Sequence, residues 1–164
     1  MPRRVPLSEA DRRGMEVALA EARVAADVGE VPVGASVMVG EQVITQAHNE
    51  TIAQRDLTQH AELLAIRRAL AVLEKDRLDD ATLCITLEPC AQCAGAIVLA
   101  RVRRVVFGAY DSKAGMAGSV EDLLRHAKLN HRPEVLGGAM EEDCAALLTL
   151  FFRGRECDEG LQGG

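Results

Sequence analysis

The sequence predicts an α/β protein: one compact domain built as a three-layer α/β/α sandwich around a mixed sheet. Segments of strand character alternate with segments of helical spacing along the chain, and no repeat or linker divides them. A chain of 164 residues can bury about two thirds of the surface its unfolded form exposes, which suffices for one core. Its 48% apolar and 27% charged content is that of a soluble globular protein. No apolar run approaches the roughly 18 residues a membrane span needs, so no membrane partner is expected. The single domain is expected over residues 1–157, with a frayed, disordered tail at 158–164.

The elements follow in order. Ser8 and Asp11 read as a helix cap, and Met15, Ala18, Leu19, Ala22 and Ala25 repeat at helical spacing until Gly29. Ala35 to Val39 and Gln42 to Ala47 flank Gly40-Glu41 and read as an antiparallel hairpin. Thr58 to Leu73 carries an apolar stripe through Leu63, Leu64, Ile66, Leu70 and Leu73, which predicts a helix with His60 in its first turn. Ala81 to Thr86 reads as a buried strand, and Pro89 is placed to open a helix through Leu99. Arg103 to Gly108 is a further strand, and Asp111 to Gly118 a loop. Ser119 is placed to cap a short helix to His126. A last strand near Glu134 to Leu136 and a helix from Met140 to Arg153 complete the order.

The two arginines near the start have no apolar stretch behind them, so no secretory address is read and a cytoplasmic location is expected. Five cysteines, an odd number, argue against a disulfide framework and for metal or redox use of some of them; Cys84, Cys144 and Cys157 are expected to stay free. The net charge of −6 points away from nucleic acid. Its distribution reopens that possibility: acids gather at Asp79-Asp80, Glu141 to Asp143 and Glu156 to Glu159, bases at Arg101, Arg103 and Arg104 and again at Lys113, Lys128, Arg132 and Arg153.

Chemistry concentrates in His60-Ala61-Glu62 and Pro89-Cys90-Ala91-Gln92-Cys93. A catalytic zinc takes three protein ligands and leaves a fourth position for water, and His60, Cys90 and Cys93 make three. Cys90 and Cys93 are one helical turn apart, at a positive helix end that favours their thiolates. Two thiolates bring the site close to neutral, so the metal acidifies its water less than an all-histidine site would. A separate base is then useful, and Glu62 is the candidate, although on an ideal helix it does not share the face of His60. Taken alone, the cysteine pair also fits a redox couple, a structural zinc half-site or two core residues. The conjunction of H-x-E with P-C-x-x-C is the zinc deaminase signature.

The chain from Met15 to Arg155 resembles the bacterial tRNA-specific adenosine deaminases. The resemblance runs through Val31 to Ala35, His60-Ala61-Glu62, Thr86 to Cys90, Cys93 to Ala96, Arg104 to Ala109, Asp111, Asn130 to Arg132, Cys144 to Leu148 and Phe151 to Arg153. It implies the cytidine deaminase-like fold, with a five-stranded sheet between helices, and a homodimer that lends residues across to each active site. It further implies that His60, Cys90 and Cys93 hold one Zn²⁺ per subunit. Glu62 would carry a proton from the activated water to N1 of adenine and then to the departing N6 amine. The wobble adenosine of an arginine tRNA anticodon would become inosine, with release of ammonia. Asn49, otherwise readable as a turn residue, resembles the asparagine that bonds the flipped base. Asp111 resembles a loop aspartate beside the flanking nucleotides. Phe152 and Arg153 resemble pocket and RNA contacts, although Phe151 and Phe152 also read as core.

Departures from the family pattern stand at Asp56-Leu57-Thr58-Gln59 before the histidine, at Tyr110 and in the acidic C-terminus. They predict an altered rim and RNA binding that leans on Arg101 to Arg104, Lys113 and Arg132. The alternative is a free nucleobase or nucleoside deaminase acting on guanine or cytosine, which the overall acidity favours. A non-catalytic zinc or redox module is the third reading.

Overall fold

The computed structural model describes residues 6–162, with side chains as far as 155. Helix α1 (Glu9–Asp27) starts on a complete capping box: the Asp11 N–H donates to the Ser8 hydroxyl at 3.0 Å, and the Ser8 N–H donates to the Asp11 carboxylate at 3.1 Å. Gly29 turns the chain out of the helix with φ of 81°. Strands β1 (Gly34–Val39) and β2 (Gln42–His48) form the antiparallel hairpin, with Gly40 at φ 58°. β1 runs so close to α1 that any side chain at position 34 would collide with the Ala18 carbonyl, which requires glycine there. Helix α2 (Ala61–Leu73), β3 (Ala81–Leu87), α3 (Ala91–Leu99), β4 (Arg104–Ala109), β5 (Glu134–Gly137) and α4 (Glu141–Gln162) follow.

The sheet has five strands in the order β2-β1-β3-β4-β5. β1 is antiparallel to β2 and β3, whereas β3, β4 and β5 run parallel, so the sheet is mixed as expected. Strand alternation divides the core into two. Val37, Leu83, Ile85, Val105 and Phe107 pack with Leu64, Ala65, Ala94 and Ile97 of α2 and α3. Met38, Cys84 and Val106 pack with Met15 and Leu19 of α1 and Cys144 of α4. Register brings the C-terminal ends of β3 and β4 together at Leu87 and Ala109, and places the start of β1 beside them through Ala35 and Ile85. Ligand crevices of open α/β sheets lie outside such strand ends.

Four sequence expectations change. α2 begins at Ala61 and α3 at Ala91, so His60 and Cys90 are N-caps with extended backbones instead of first-turn residues. No helix follows Ser119: residues 119–126 form bends and turns with one bridge between Ala117 and Asp122. The Ser119 hydroxyl donates to Glu88, and Gly118 sits at φ 125°, in the region that favours glycine. α4 continues to Gln162, past the Arg153 end and into the stretch expected to fray; Gly163 and Gly164 and the side chain of Cys157 lie outside the described residues. Finally, Arg104 is not a surface base. It is buried at the sheet end remote from Leu87, where it pairs with Asp11 at 2.5 Å and Glu134 at 2.7 Å. Arg103 lies there too, beside Thr82, so neither belongs to a patch at the cleft end.

Candidate active site

His60 reaches the site because of how α2 begins. An N-cap side chain ordinarily accepts a hydrogen bond from the first helical turn, but His60 makes none. Asn49, the residue after β2, takes over: its Oδ1 accepts from the Ala61 N–H at 2.9 Å. The imidazole is thereby released, and its Nδ1 lies 3.5 Å from both Cys90 Sγ and Cys93 Sγ. Cys90 caps α3 in the same way, without a side-chain cap bond. Cys93 is buried in the first turn. Gln92 ties the two helix starts together, its amide donating to the Thr58 carbonyl at 2.9 Å.

The donor set fits zinc. One ligand atom from each of His60, Cys90 and Cys93 lies within 4.8 Å of the others. Bonds of about 2.3 Å to sulfur and about 2.0 Å to nitrogen at a tetrahedral angle place N and S about 3.5 Å apart, and both N···S separations match. Hydrogen bonding from Cys93 and then from His60 pulls the Cys90 thiol down to about 3. The bond to Cys90 raises His60, and the same thiol pair together with burial pushes Cys93 up. A bound cation requires the protons of His60 and Cys93 to leave.

Glu62 is buried, and desolvation raises its carboxyl above the usual 4.5. The ideal-helix objection to the His60/Glu62 pair falls away because His60 stands outside the helix with ψ of 150°. Both side chains line one cleft of about 300 Å³ with Asn49, Cys90 and Asp111, among apolar walls from Val31, Val33, Leu57 and Leu87. Its size lies at the lower end of small-molecule sites. A broader depression of about 730 Å³ at the end of α2 is lined by Glu74, Lys75, Asp76, Arg77 and Asp79 and brings no such donors together.

Five of the eight site residues expected from sequence therefore line this cleft, and Cys93 stands directly behind it. Phe152 and Arg153 do not line it. They lie exposed on α4, Phe152 edge-on to Phe151 with ring centroids 5.5 Å apart. Two buried carboxylates, Glu30 and Glu88, were missed. Glu30 accepts from the N–H groups of Ile52 and Ala53 and from Thr51, fixing the loop before His60. Glu88 holds the loop after β4.

Residues 9–155 match the MafB19-like deaminase family. The tRNA-specific adenosine deaminase of Bacillus subtilis (strain 168) is 45% identical over 143 residues, covering 87% of this chain and 89% of that protein. The chain belongs to the tRNA-specific adenosine deaminase family. The tRNA-specific adenosine deaminase of Agrobacterium fabrum is 41% identical over 88% of this chain and 95% of its own length. A solved structure from studies of A-to-I editing by tRNA:A34 deaminases superposes with a TM-score of 0.80 at 41% identity, covering 83% of this chain and 99% of its own. The family's cytidine deaminase-like sheet and helix layers are those of this chain.

Proposed function

We propose that this chain deaminates adenosine at the wobble position of a tRNA anticodon, yielding inosine and ammonia, with one zinc ion held by His60, Cys90 and Cys93. The observation that carries the reading is the buried Glu62 beside a zinc-compatible His-Cys-Cys set in a base-sized cleft, within a chain whose relatives bear this activity in their names. When bound, zinc supplies Lewis-acid activation of water for attack on purine C6. The protein's own groups do the rest. Glu62 accepts the proton of the attacking water and delivers it to N1, and a second transfer lets N6 depart as ammonia when the C6–N6 bond breaks. Its raised affinity for protons suits both directions of transfer.

Asn49 has its Oδ1 committed to Ala61, which leaves its amide N–H₂ as the donor to an acceptor on the base edge. Val31, Val33 and Leu87 exclude water from the ring faces. Asp111 at the rim is an acceptor for a ribose hydroxyl of a flanking nucleotide. Arg153 and Phe152 meet only RNA that lies outside the cleft. Lys113 and Arg132 supply phosphate contacts. The homodimer belongs to the same proposal, supported by the exposed Leu99 and Leu129 around Arg101 and Lys128. So does the cytoplasmic location, where tRNA is the available substrate; among the described residues no helix is long and apolar enough to cross a membrane. Incubation of the zinc-loaded protein with an arginine tRNA, followed by nucleoside analysis, is expected to show inosine. Ammonia from guanine, cytosine or free adenosine with no inosine in tRNA would establish the free-base alternative instead.

A further inference from the structure

Glu88 is neither a metal ligand nor a proton carrier, yet it is 2% exposed. It follows the last residue of β3 and precedes Pro89 and Cys90. Oε1 accepts from the Asp111 N–H at 3.1 Å and from the Ser119 hydroxyl, while Oε2 accepts from the N–H groups of Ala117 at 3.0 Å and Ser119 at 3.1 Å. The loop it holds has no helix or strand of its own beyond one bridge. Gly115 packs so near that a Cβ there would collide with the carboxylate. The same loop presents Asp111 and Ala114 to the cleft.

A buried carboxylate that gathers donors from both ends of a loop determines the loop's shape, because each unmade bond would leave a desolvated group behind. The anchor is two residues from Cys90, so the rim and the metal set share one rigid support at the end of β3. The backbone N–H groups of Asp111, Ala117 and Ser119 are thereby turned inward to one carboxylate. We propose that Glu88 is a positioning residue that holds the 111–119 rim in register with the His60-Cys90-Cys93 centre, and thereby sets how the polynucleotide flanking the target base is received. The inference rests on the reading of the chain as a tRNA deaminase.

The test uses the zinc-loaded full chain and an anticodon stem-loop RNA. Glu88→Gln is expected to raise KM about 10-fold with kcat within about threefold and zinc per chain unchanged. Asp111→Ala is expected to raise KM too, and the double variant to be no worse than about twofold beyond the weaker-binding single, since both act through one rim. Ser119→Ala, which keeps the carboxylate, gives a smaller KM effect and covers the case in which Glu88→Gln does not fold. Hydrogen exchange at the amides of residues 111, 117 and 119 is expected to quicken in Glu88→Gln and Ser119→Ala while α3 stays protected. Loss of zinc with a collapse of kcat, effects that multiply in the double variant, or unchanged exchange would each overturn the inference. If the unmodified protein forms no inosine, the functional reading fails, and the exchange measurement alone decides the role of Glu88.

Discussion

At the scale of single residues, the site depends on who caps whom. Asn49 satisfies the first N–H of α2 so that His60 need not, and its amide N–H₂ is left for the base edge proposed above. Asn49→Ala leaves the Ala61 N–H without its partner, and urea denaturation is expected to show a loss of about 1–3 kcal/mol together with weaker substrate binding. Glu62→Ala separates proton transfer from metal binding: turnover is expected to fall about 10²–10⁴-fold while metal analysis still finds zinc. Zinc loss in that variant would assign Glu62 to the metal instead. The remaining buried thiols behave differently from Cys90. Burial pushes Cys84 up to about 12 and Cys144 to about 11, so alkylation of the folded protein at pH 8 is expected to leave both unmodified in peptide mapping. His60, Cys90, Cys93 and Glu62 were legible in the sequence because they share short motifs of fixed spacing. Asn49 was legible only through resemblance; Glu88 stood inside a resembling stretch without a role and Glu30 outside any, since their partners lie 21–31 residues away.

At the scale of elements, local signals prevailed where tertiary contacts agreed with them. Ser8 and Asp11 made their capping box, the hairpin turned at Gly40, and the apolar alternation of β1, β3 and β4 divided between two helix layers. The segment after Ser119 has the composition of a capped helix and is not one: the serine hydroxyl and the N–H groups of Ala117 and Ser119 are turned to Glu88, and the chain runs on through bends and turns. Helix starts were displaced for a related reason: a motif does not show whether its histidine or cysteine stands inside the first turn or just before it. The capping box is separable from function, being far along the chain from every cleft residue. Ser8→Ala is expected to lower stability by about 1 kcal/mol in chemical denaturation with unchanged deaminase activity. A change in KM would show that α1 is coupled to the cleft.

At the scale of the whole molecule, the sheet has two ends with different electrostatics. The cleft end gathers His60, Cys90, Cys93 and Glu62, and the far end buries Arg104 between Asp11 and Glu134. Burial alone would raise the Asp11 carboxyl, but the Arg104 guanidinium and the Ser8 groups outweigh it and hold it below 3.8. Glu30 is held below 4.5 against burial by the Ala53 and Ile52 N–H groups and by Thr51. For a carboxyl with a depressed folded pKa, the unfolded chain binds the proton first on acidification. The stabilisation is therefore complete above the unfolded value and is lost as pH falls through the folded one. Asp11→Asn removes the ion pair while keeping the shape, so its deficit in urea denaturation is expected to be large at pH 7 and to shrink as the pH is taken well below 3.8. Glu30→Gln is expected to follow the same course below 4.5, through the loop before His60 instead of through α1. A deficit that stays constant from pH 7 to below 3 would mean that these carboxylates contribute by packing and not by charge. Because the charge of Arg104 is taken up by this internal cluster, the far end of the sheet adds no cation to the cleft, and the RNA contacts proposed above fall to Lys113 and to bases on other elements.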